Sequence, residues 1–150
     1  MWKILDFGVS KLVDRGGTLT HGHIVGTPGY MAPEQAVADG SVDQRADLYA
    51  LGVIAYRVLT GRPAFTGRDV PAILHAVVYD TPPRPSEIAP IPEELDAVLA
   101  IAMAKRAADR FEDADQLAAA FAAAAAGTLD RTLRDRADAL LRANPWGSER

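Results

Sequence analysis

The chain has 150 residues, of which 49% are hydrophobic and 24% charged, and this balance is typical of one globular domain with a core. Its formal charge of −4 argues against binding to nucleic acid or to an acidic membrane surface. No cysteine is present, which excludes disulfides and thiolate metal sites. The longest apolar run, Leu117 to Ala126, is about half of the roughly 20 residues that a membrane-spanning helix needs. We therefore expect a cytoplasmic protein with no membrane span and no nucleic-acid partner.

The first predicted element is a short strand at the N-terminus. Trp2, Ile4 and Leu5 form an apolar run that ends at Asp6 and Gly8, which is the pattern of a buried strand leading into a turn.

Three short motifs follow this strand. Asp6 to Gly8 reads Asp-Phe-Gly, Ala32 to Glu34 reads Ala-Pro-Glu, and Gly26 to Met31 reads Gly-Thr-Pro-Gly-Tyr-Met. Asp-Phe-Gly alone is a weak signal, because an aspartate that caps a turn beside a core phenylalanine explains it equally well. The spacing carries more weight, since the first two motifs bound the activation segment of protein kinases. The chain resembles a protein kinase, and its Gly26 to Tyr30 stretch resembles the serine/threonine class in its bacterial form.

The resemblance assigns roles to the first motif. Asp6 matches the carboxylate that binds Mg²⁺ together with the phosphates of ATP, and Mg²⁺ prefers such oxygen ligands. Phe7 matches the residue whose packing sets active or inactive geometry, and Gly8 allows the backbone to turn. In the family, the strand before Asp6 pairs with a strand that follows the catalytic loop. This sequence does not contain that loop, so the strand is expected to fray, to bind another chain or to self-associate.

Residues 9 to 25 match the activation segment, which phosphorylation often switches. Thr18 and Thr20 are the first candidate phosphorylation sites, and Ser10 is the next. The alternative is a solvated loop whose threonines are not modified, because the basic partner of the phosphate normally lies in the catalytic loop. His21 and His23 lack further ligands and are not predicted to bind a metal.

The resemblance also predicts a long-range ion pair. Thr27 matches the residue that contacts the catalytic acid and helps to select Ser or Thr acceptors over Tyr. Glu34 matches an acid that pairs with a distant arginine and fixes the segment to the helical lobe. Lys105 to Phe111 resembles the family's closing motif, in which Arg110 takes the position of that arginine; a guanidinium holds a carboxylate through two hydrogen bonds. The alternative is that Glu34 and Arg110 are unrelated surface charges.

The clearest helix is predicted from Asp43, a candidate cap, to Thr60. It is apolar nearly all round, which predicts burial on every side. Asp47 to Gly52 resembles the family's central helix, whose aspartate accepts hydrogen bonds from the catalytic loop. The resemblance assigns structural roles to Asp47 and Gly52. Because that loop does not occur here, Asp47 is expected to be a buried carboxylate without its partner.

Further helices are predicted by apolar spacing over Arg68 to Tyr79, Pro92 to Met103 and Asp113 to Ala126. Pro82 to Ser86 is expected to be a rigid surface connector, either a loop typical of the family or a ligand for a proline-recognition domain.

From Thr128 onward the resemblance fades. Apolar residues recur at helical spacing among Arg and Asp, which predicts an amphipathic helix that ends near Asn144 and either docks on the lobe or meets a partner. Trp146 to Arg150 is predicted to be disordered. The sequence thus divides into a partial kinase domain, residues 1–127, and an amphipathic helix with a tail, residues 128–150.

The resemblance implies a mainly α fold: the C-terminal lobe of a protein kinase from the Asp-Phe-Gly strand onward, without the N-terminal lobe and the catalytic loop. The sequence contains no Gly-rich phosphate loop, no strand lysine with its glutamate, and no His-Arg-Asp motif. Met1 is then either an internal methionine of a longer kinase or the start of a truncated gene.

Three functions are consistent with this pattern. The first is the C-terminal part of a Ser/Thr kinase that cannot transfer phosphate alone, since only Asp6 remains of the named catalytic parts. ATP and Mg²⁺ are cofactors of the intact family, and neither is expected to bind well to this chain. The second is a pseudokinase-like module that binds a kinase or a protein substrate without chemistry. The third is half of a split kinase that another chain completes.

Overall fold

The computed structural model describes residues 28–38 and 40–149, and all regular structure in these ranges is helical. The α-helices are α1 (Pro33–Ala36), α2 (Arg45–Thr60), α3 (Val70–Tyr79), α4 (Pro85–Ile88), α5 (Glu94–Ala102), α6 (Ala114–Ala125) and α7 (Arg131–Ala143). Short 3₁₀ turns at Pro28–Tyr30 and Ala107–Asp109 precede α1 and α6. This mainly α architecture agrees with the prediction, and no helix of the described part is long and apolar enough to cross a membrane. The strand predicted at Trp2 to Leu5 lies outside the described residues.

Local sequence sets the helix ends close to where they were predicted. Asp69, Asp113 and Asp130 precede α3, α6 and α7, and the side chain of each accepts a hydrogen bond of 2.8 to 2.9 Å from a backbone amide in the first turn. Gly61 ends α2 in the left-handed conformation, with φ of 70°, which glycine adopts without strain.

The most enclosed helix is α5, which lies between α2 and the pair α6 and α7. Its buried side chains belong to two apolar clusters: Leu99 and Met103, the residue that follows the helix, contact the cluster around α2, and Val98 and Ile101 contact the cluster around α6 and α7. The core of the described chain therefore forms around α5.

Helix α2 is buried on fewer sides than predicted. Tyr49, Val53 and Tyr56 face the core, but Leu51 and Ile54 are 47% and 46% exposed. Val58 is 77% exposed on the same face. The prediction of burial all round was wrong, because no described element packs against this side of α2.

The Pro82 to Ser86 segment, in contrast, is more buried than predicted. Pro82 and Pro85 are buried, and Pro85 begins α4. Asp96 of α5, itself 3% exposed, accepts hydrogen bonds from Arg84 Nε at 2.6 Å, from Ser86 N at 3.0 Å and from Ser86 Oγ at 2.6 Å. The segment is thus fixed to the core by a paired carboxylate and is not a free surface connector.

The C-terminal helix α7 docks on α5, as one of the two predicted alternatives has it. The residues after it also contact the lobe: the Gly147 amide donates to the Pro82 carbonyl at 2.9 Å, and the Thr81 amide donates to the Ser148 carbonyl at 2.8 Å. Trp146 packs against both apolar clusters. The expected disorder of Trp146 to Arg150 is therefore incorrect for residues 146–149, while the domain division at residue 127 stays a prediction.

Gly52 lies where α2 contacts the end of α5. A Cβ atom at this position would lie 2.9 Å from Ala102 Cβ and 3.0 Å from Met103 Cγ. We predict that Gly52→Ala lowers the free energy of unfolding in urea by about 1–3 kcal/mol through overpacking, although alanine favours the helix by up to ~1 kcal/mol. Gly40→Ala, where no atom lies within 4 Å of the added methyl, serves as control. Equal midpoints for both variants would contradict the prediction.

Candidate functional site

Glu34 lies in the first turn of α1. Pro33 opens this helix, and the Gln35 side chain accepts a hydrogen bond of 2.9 Å from the Ala32 amide. Ala32 and Pro33 are buried, so the motif is packed against the helical body. This packing directs the Glu34 carboxylate toward residues far along the chain.

Arg110 uses each of its five N–H donors. Its Nη1 and Nη2 atoms donate to the two Glu34 carboxylate oxygens at 2.6 and 2.7 Å. The remaining donors reach backbone carbonyls: Nε reaches Ala104 at 2.8 Å, Nη1 reaches Arg45 at 3.1 Å, and Nη2 reaches Lys105 at 3.1 Å. One side chain thereby joins α1, the start of α2 and the segment after α5, and lysine cannot reproduce this geometry.

The Glu34–Arg110 pair is enclosed. The Arg110 side chain is fully buried, that of Glu34 is 11% exposed, and the guanidinium lies 4.9 Å from the ring centroid of Tyr49. Burial by itself raises the pKa of Glu34, but hydrogen bonds from Arg110 and a backbone amide, with the charge of Arg110, outweigh burial and lower this pKa below its ordinary value. The contact between Glu34 and Arg110 agrees with the prediction from the motifs, and the alternative of two unrelated surface charges is wrong.

Lys105 lies beside this pair. Its Nζ donates to the Val77 carbonyl at 2.6 Å and lies 4.6 Å from the centroid of the Phe65 ring. Burial lowers the pKa of Lys105 to about 8, against the opposing charge of Asp80.

A second feature is an apolar pocket of about 160 Å³ beside the Pro28–Tyr30 turn. The turn forms one side, and the other sides come from α2, α3 and the segment between them. The side chains that line these other sides are those of Val53, Arg57, Pro63, Ala64, Phe65 and Ile73. Arg57 Nη1 donates to the Tyr30 hydroxyl at 2.6 Å and so connects the turn to α2.

The structure places only some of the predicted site residues. Outside the described residues lie Asp6, Phe7, Gly8, Thr18, Thr20 and Thr27. Gly52 packs against the residues at the end of α5. Asp47 was predicted to be buried and is exposed, because it lies in the first turn of α2 on the same uncovered face as Leu51 and Ile54.

The described residues contain no cluster of candidate metal ligands. Among them, no group of three or more His, Cys, Asp or Glu side chains could hold a metal ion. Asp6, which the resemblance assigns to Mg²⁺, is not among them. No catalytic step is therefore assigned to this part of the chain.

Sequence reasoning missed one buried charged residue, Asp96, and one that is partly buried, Lys105. Asp96 looks like an ordinary acid near the start of a helix, yet it organises Arg84 and Ser86. Lys105 appears only as part of the closing motif, although its ammonium is largely buried. The apolar residues around Asp96 were the signal that marks it as a buried carboxylate in need of partners.

Comparisons with known proteins extend this picture. The chain matches the protein kinase domain family over residues 1–136. It is 51% identical over 111 residues to the serine/threonine-protein kinase Pkn1 of Myxococcus xanthus, covering 73% of this chain and 16% of that kinase. It is 43% identical over 118 residues to the DNA damage-responsive serine/threonine-protein kinase RqkA of Deinococcus radiodurans, covering 77% and 18%.

The serine/threonine-protein kinase PknB of Mycobacterium tuberculosis is 38% identical over 120 residues, covering 78% of this chain and 19% of that kinase. The chain thus spans less than a fifth of the length of each of these curated relatives.

Arg110→Lys tests the five-donor geometry. We predict a loss of roughly 1–3 kcal/mol in the free energy of unfolding, because lysine keeps the charge but has three N–H donors in place of five and cannot reach all of the acceptors that Arg110 satisfies. Urea denaturation measures this loss. The control is Arg131→Lys, whose side chain is 92% exposed and whose loss should stay within about 0.5 kcal/mol. A similar loss in both variants would contradict the prediction.

Acid titration tests the Glu34 carboxylate. Because the folded-state pKa of Glu34 lies below its ordinary value of 4.5, its charge stabilises the fold above that value, and the stabilisation is lost as pH falls through the lowered pKa. We predict that the free energy of unfolding falls more steeply in the original protein than in Glu34→Gln between about pH 5 and 3. If urea titrations gave the two proteins parallel pH profiles of the unfolding free energy, the Glu34 carboxylate would not stabilise the fold through Arg110.

Proposed function

The chain belongs to the protein kinase domain family and carries part of that domain; from this premise we propose that it supplies the activation segment and substrate-docking helices of a serine/threonine kinase. The Glu34–Arg110 pair supports this proposal most directly, because it anchors the end of the Ala-Pro-Glu motif to the helical body through two hydrogen bonds.

The same proposal holds that the chain does not transfer phosphate by itself. Phosphoryl transfer depends on positioning and on charge stabilisation by a lysine, by metal ligands and by a catalytic base. Intact members of the family use ATP and Mg²⁺ for this reaction. Of the corresponding residues, this sequence offers only Asp6, so we propose that the chain alone binds neither cofactor well.

The pocket beside Pro28–Tyr30 is proposed as the docking site for a protein substrate. The Pro28–Tyr30 turn, which forms one side of the pocket, directly follows Thr27, the residue that the resemblance matches to acceptor selection. Apolar side chains such as Val53, Phe65 and Ile73 line the pocket. Its volume of about 160 Å³ suits an apolar side chain of the substrate. Phosphorylation at Thr18 or Thr20, a cytoplasmic location and self-association through the N-terminal strand remain predictions.

A second candidate function is half of a split kinase. Asp47, Leu51, Ile54 and Val58 share one uncovered face of α2, which we call the α2 stripe. Apolar side chains exposed together with a carboxylate suit a partner that covers them and donates hydrogen bonds to the acid. The proposed partner is a polypeptide that carries the Gly-rich loop, the lysine and the His-Arg-Asp loop.

A phosphorylation assay tests both candidates. The purified chain, incubated with Mg-ATP and casein, is expected to show no more phosphate incorporation than Asp6→Ala. Turnover that is lost in Asp6→Ala would contradict the proposed inactivity of the chain. Adding a separate polypeptide with the N-terminal part of a related kinase domain then tests the split enzyme.

In that mixture, activity is expected if the chain is half of a kinase, and Ile54→Asp in the α2 stripe should abolish it. Val37→Asp, which alters a valine that is 57% exposed and lies outside α2, against 46% for Ile54, should leave the activity unchanged. Association of the two polypeptides without activity would instead favour a non-catalytic binding module.

A further inference from the structure

The α2 stripe has the spacing of a helix face that packs along a second helix. Its members Asp47, Leu51, Ile54 and Val58 are four, three and four residues apart, which is the alternation of the a and d positions in a coiled coil. All four residues are exposed, and each of the three apolar ones is at least 46% exposed. Side chains at this spacing follow one line along a helix, so a single second helix can contact all of them.

The charges on α2 restrict which second helix fits. Asp47 lies in the first turn of α2 and Arg57 in the last turn, and both residues are exposed. Arg57 donates from Nη1 to the Tyr30 hydroxyl at 2.6 Å, and neither Asp47 nor Arg57 forms a salt bridge with another described residue. The stripe therefore has an acid at one end and a base beside the other end. A helix with the same pattern that runs in the opposite direction matches both charges.

An antiparallel second copy of α2 meets these conditions. When the two-fold axis passes between Leu51 and Ile54, Leu51 lies opposite Ile54 of the second copy, and Asp47 lies opposite Val58 and next to Arg57 of that copy. By symmetry, the Asp47 carboxylate and the Arg57 guanidinium then meet twice, once at each end of the contact. A parallel pair would instead place Asp47 against Asp47, where like charges repel.

We infer that a second copy of this chain covers the α2 stripe, in an antiparallel dimer with two-fold symmetry. Because only three apolar side chains per copy enter the contact, we expect an interface at the small end of specific interfaces and a Kd of roughly 10–100 μM. The inference does not rest on the proposed kinase role. A polypeptide that completes a split kinase would compete with the second copy for the same side chains.

Sedimentation equilibrium of the full chain tests the dimer over concentrations of about 5 to 500 μM. The average mass should rise with concentration from 16.0 kDa toward twice this value. Ile54→Asp, which places a carboxylate in the centre of the apolar contact, should weaken dimerisation at least tenfold. Val37→Asp is the matched control, because Val37 is 57% exposed and lies outside α2, and it should dimerise like the original protein.

Variants with exchanged charges test the antiparallel arrangement. Asp47→Arg and Arg57→Asp each place like charges at both ends of the contact, so each variant alone should dimerise at least fivefold more weakly than the original protein. An equal mixture of the two variants restores opposite charges at both ends, and its association should return to within about twofold of the original. Far-UV circular dichroism checks that all variants keep their helix content.

Three results would overturn the inference. A chain that stays monomeric at the highest concentration would show that no second copy covers the stripe. Association that survives Ile54→Asp would place the contact on another surface, such as the N-terminal strand. A mixture of Asp47→Arg and Arg57→Asp that associates no more tightly than either variant alone would exclude the antiparallel pairing of the two charges.

Discussion

The described structure depends on the bidentate ion pair between Glu34 and Arg110. The five hydrogen bonds of Arg110 join three segments that are distant in sequence: α1, the start of α2 and the chain after α5. A buried guanidinium is tolerated only when its donors are satisfied, so each segment stabilises the others through the same side chain. The pair therefore fixes the Ala-Pro-Glu motif to the helical body, close to the Pro28–Tyr30 turn that forms one side of the apolar pocket.

This chain contains the residues that form the helical core but only one of the residues that the family uses for catalysis. Around α5 the core is closed, with α6 and α7 on one side and α2 on the other. The uncovered part is the α2 stripe, where apolar side chains and the Asp47 carboxylate are exposed together. A chain that spans less than a fifth of the length of its kinase relatives thus forms a helical core of its own. The missing phosphate-binding and base-supplying groups would have to come from outside this sequence.

Much of this arrangement follows from the sequence, because short-range signals are explicit in it. Aspartates at helix starts, Gly61 after α2 and apolar spacing indicate most helix positions. The Glu34–Arg110 contact is predictable only through the family motifs, since nothing local links two residues 76 positions apart. The exposed face of α2 is not predictable from periodicity, because an apolar surface is read as buried whether or not the chain supplies a covering element. Asp96 was missed, and the disorder predicted for Trp146 was wrong, because the residues that contact them belong to other segments of the chain.

The most direct measurement is a double-mutant cycle on Glu34 and Arg110, with urea unfolding of Glu34→Ala, Arg110→Ala and the double variant. If the two side chains stabilise the fold through one another, the coupling free energy should reach about 2–3 kcal/mol, and the double variant should be little worse than Arg110→Ala alone. Additive losses, with a coupling free energy near zero, would show that the pair does not hold the Ala-Pro-Glu motif to the helical body.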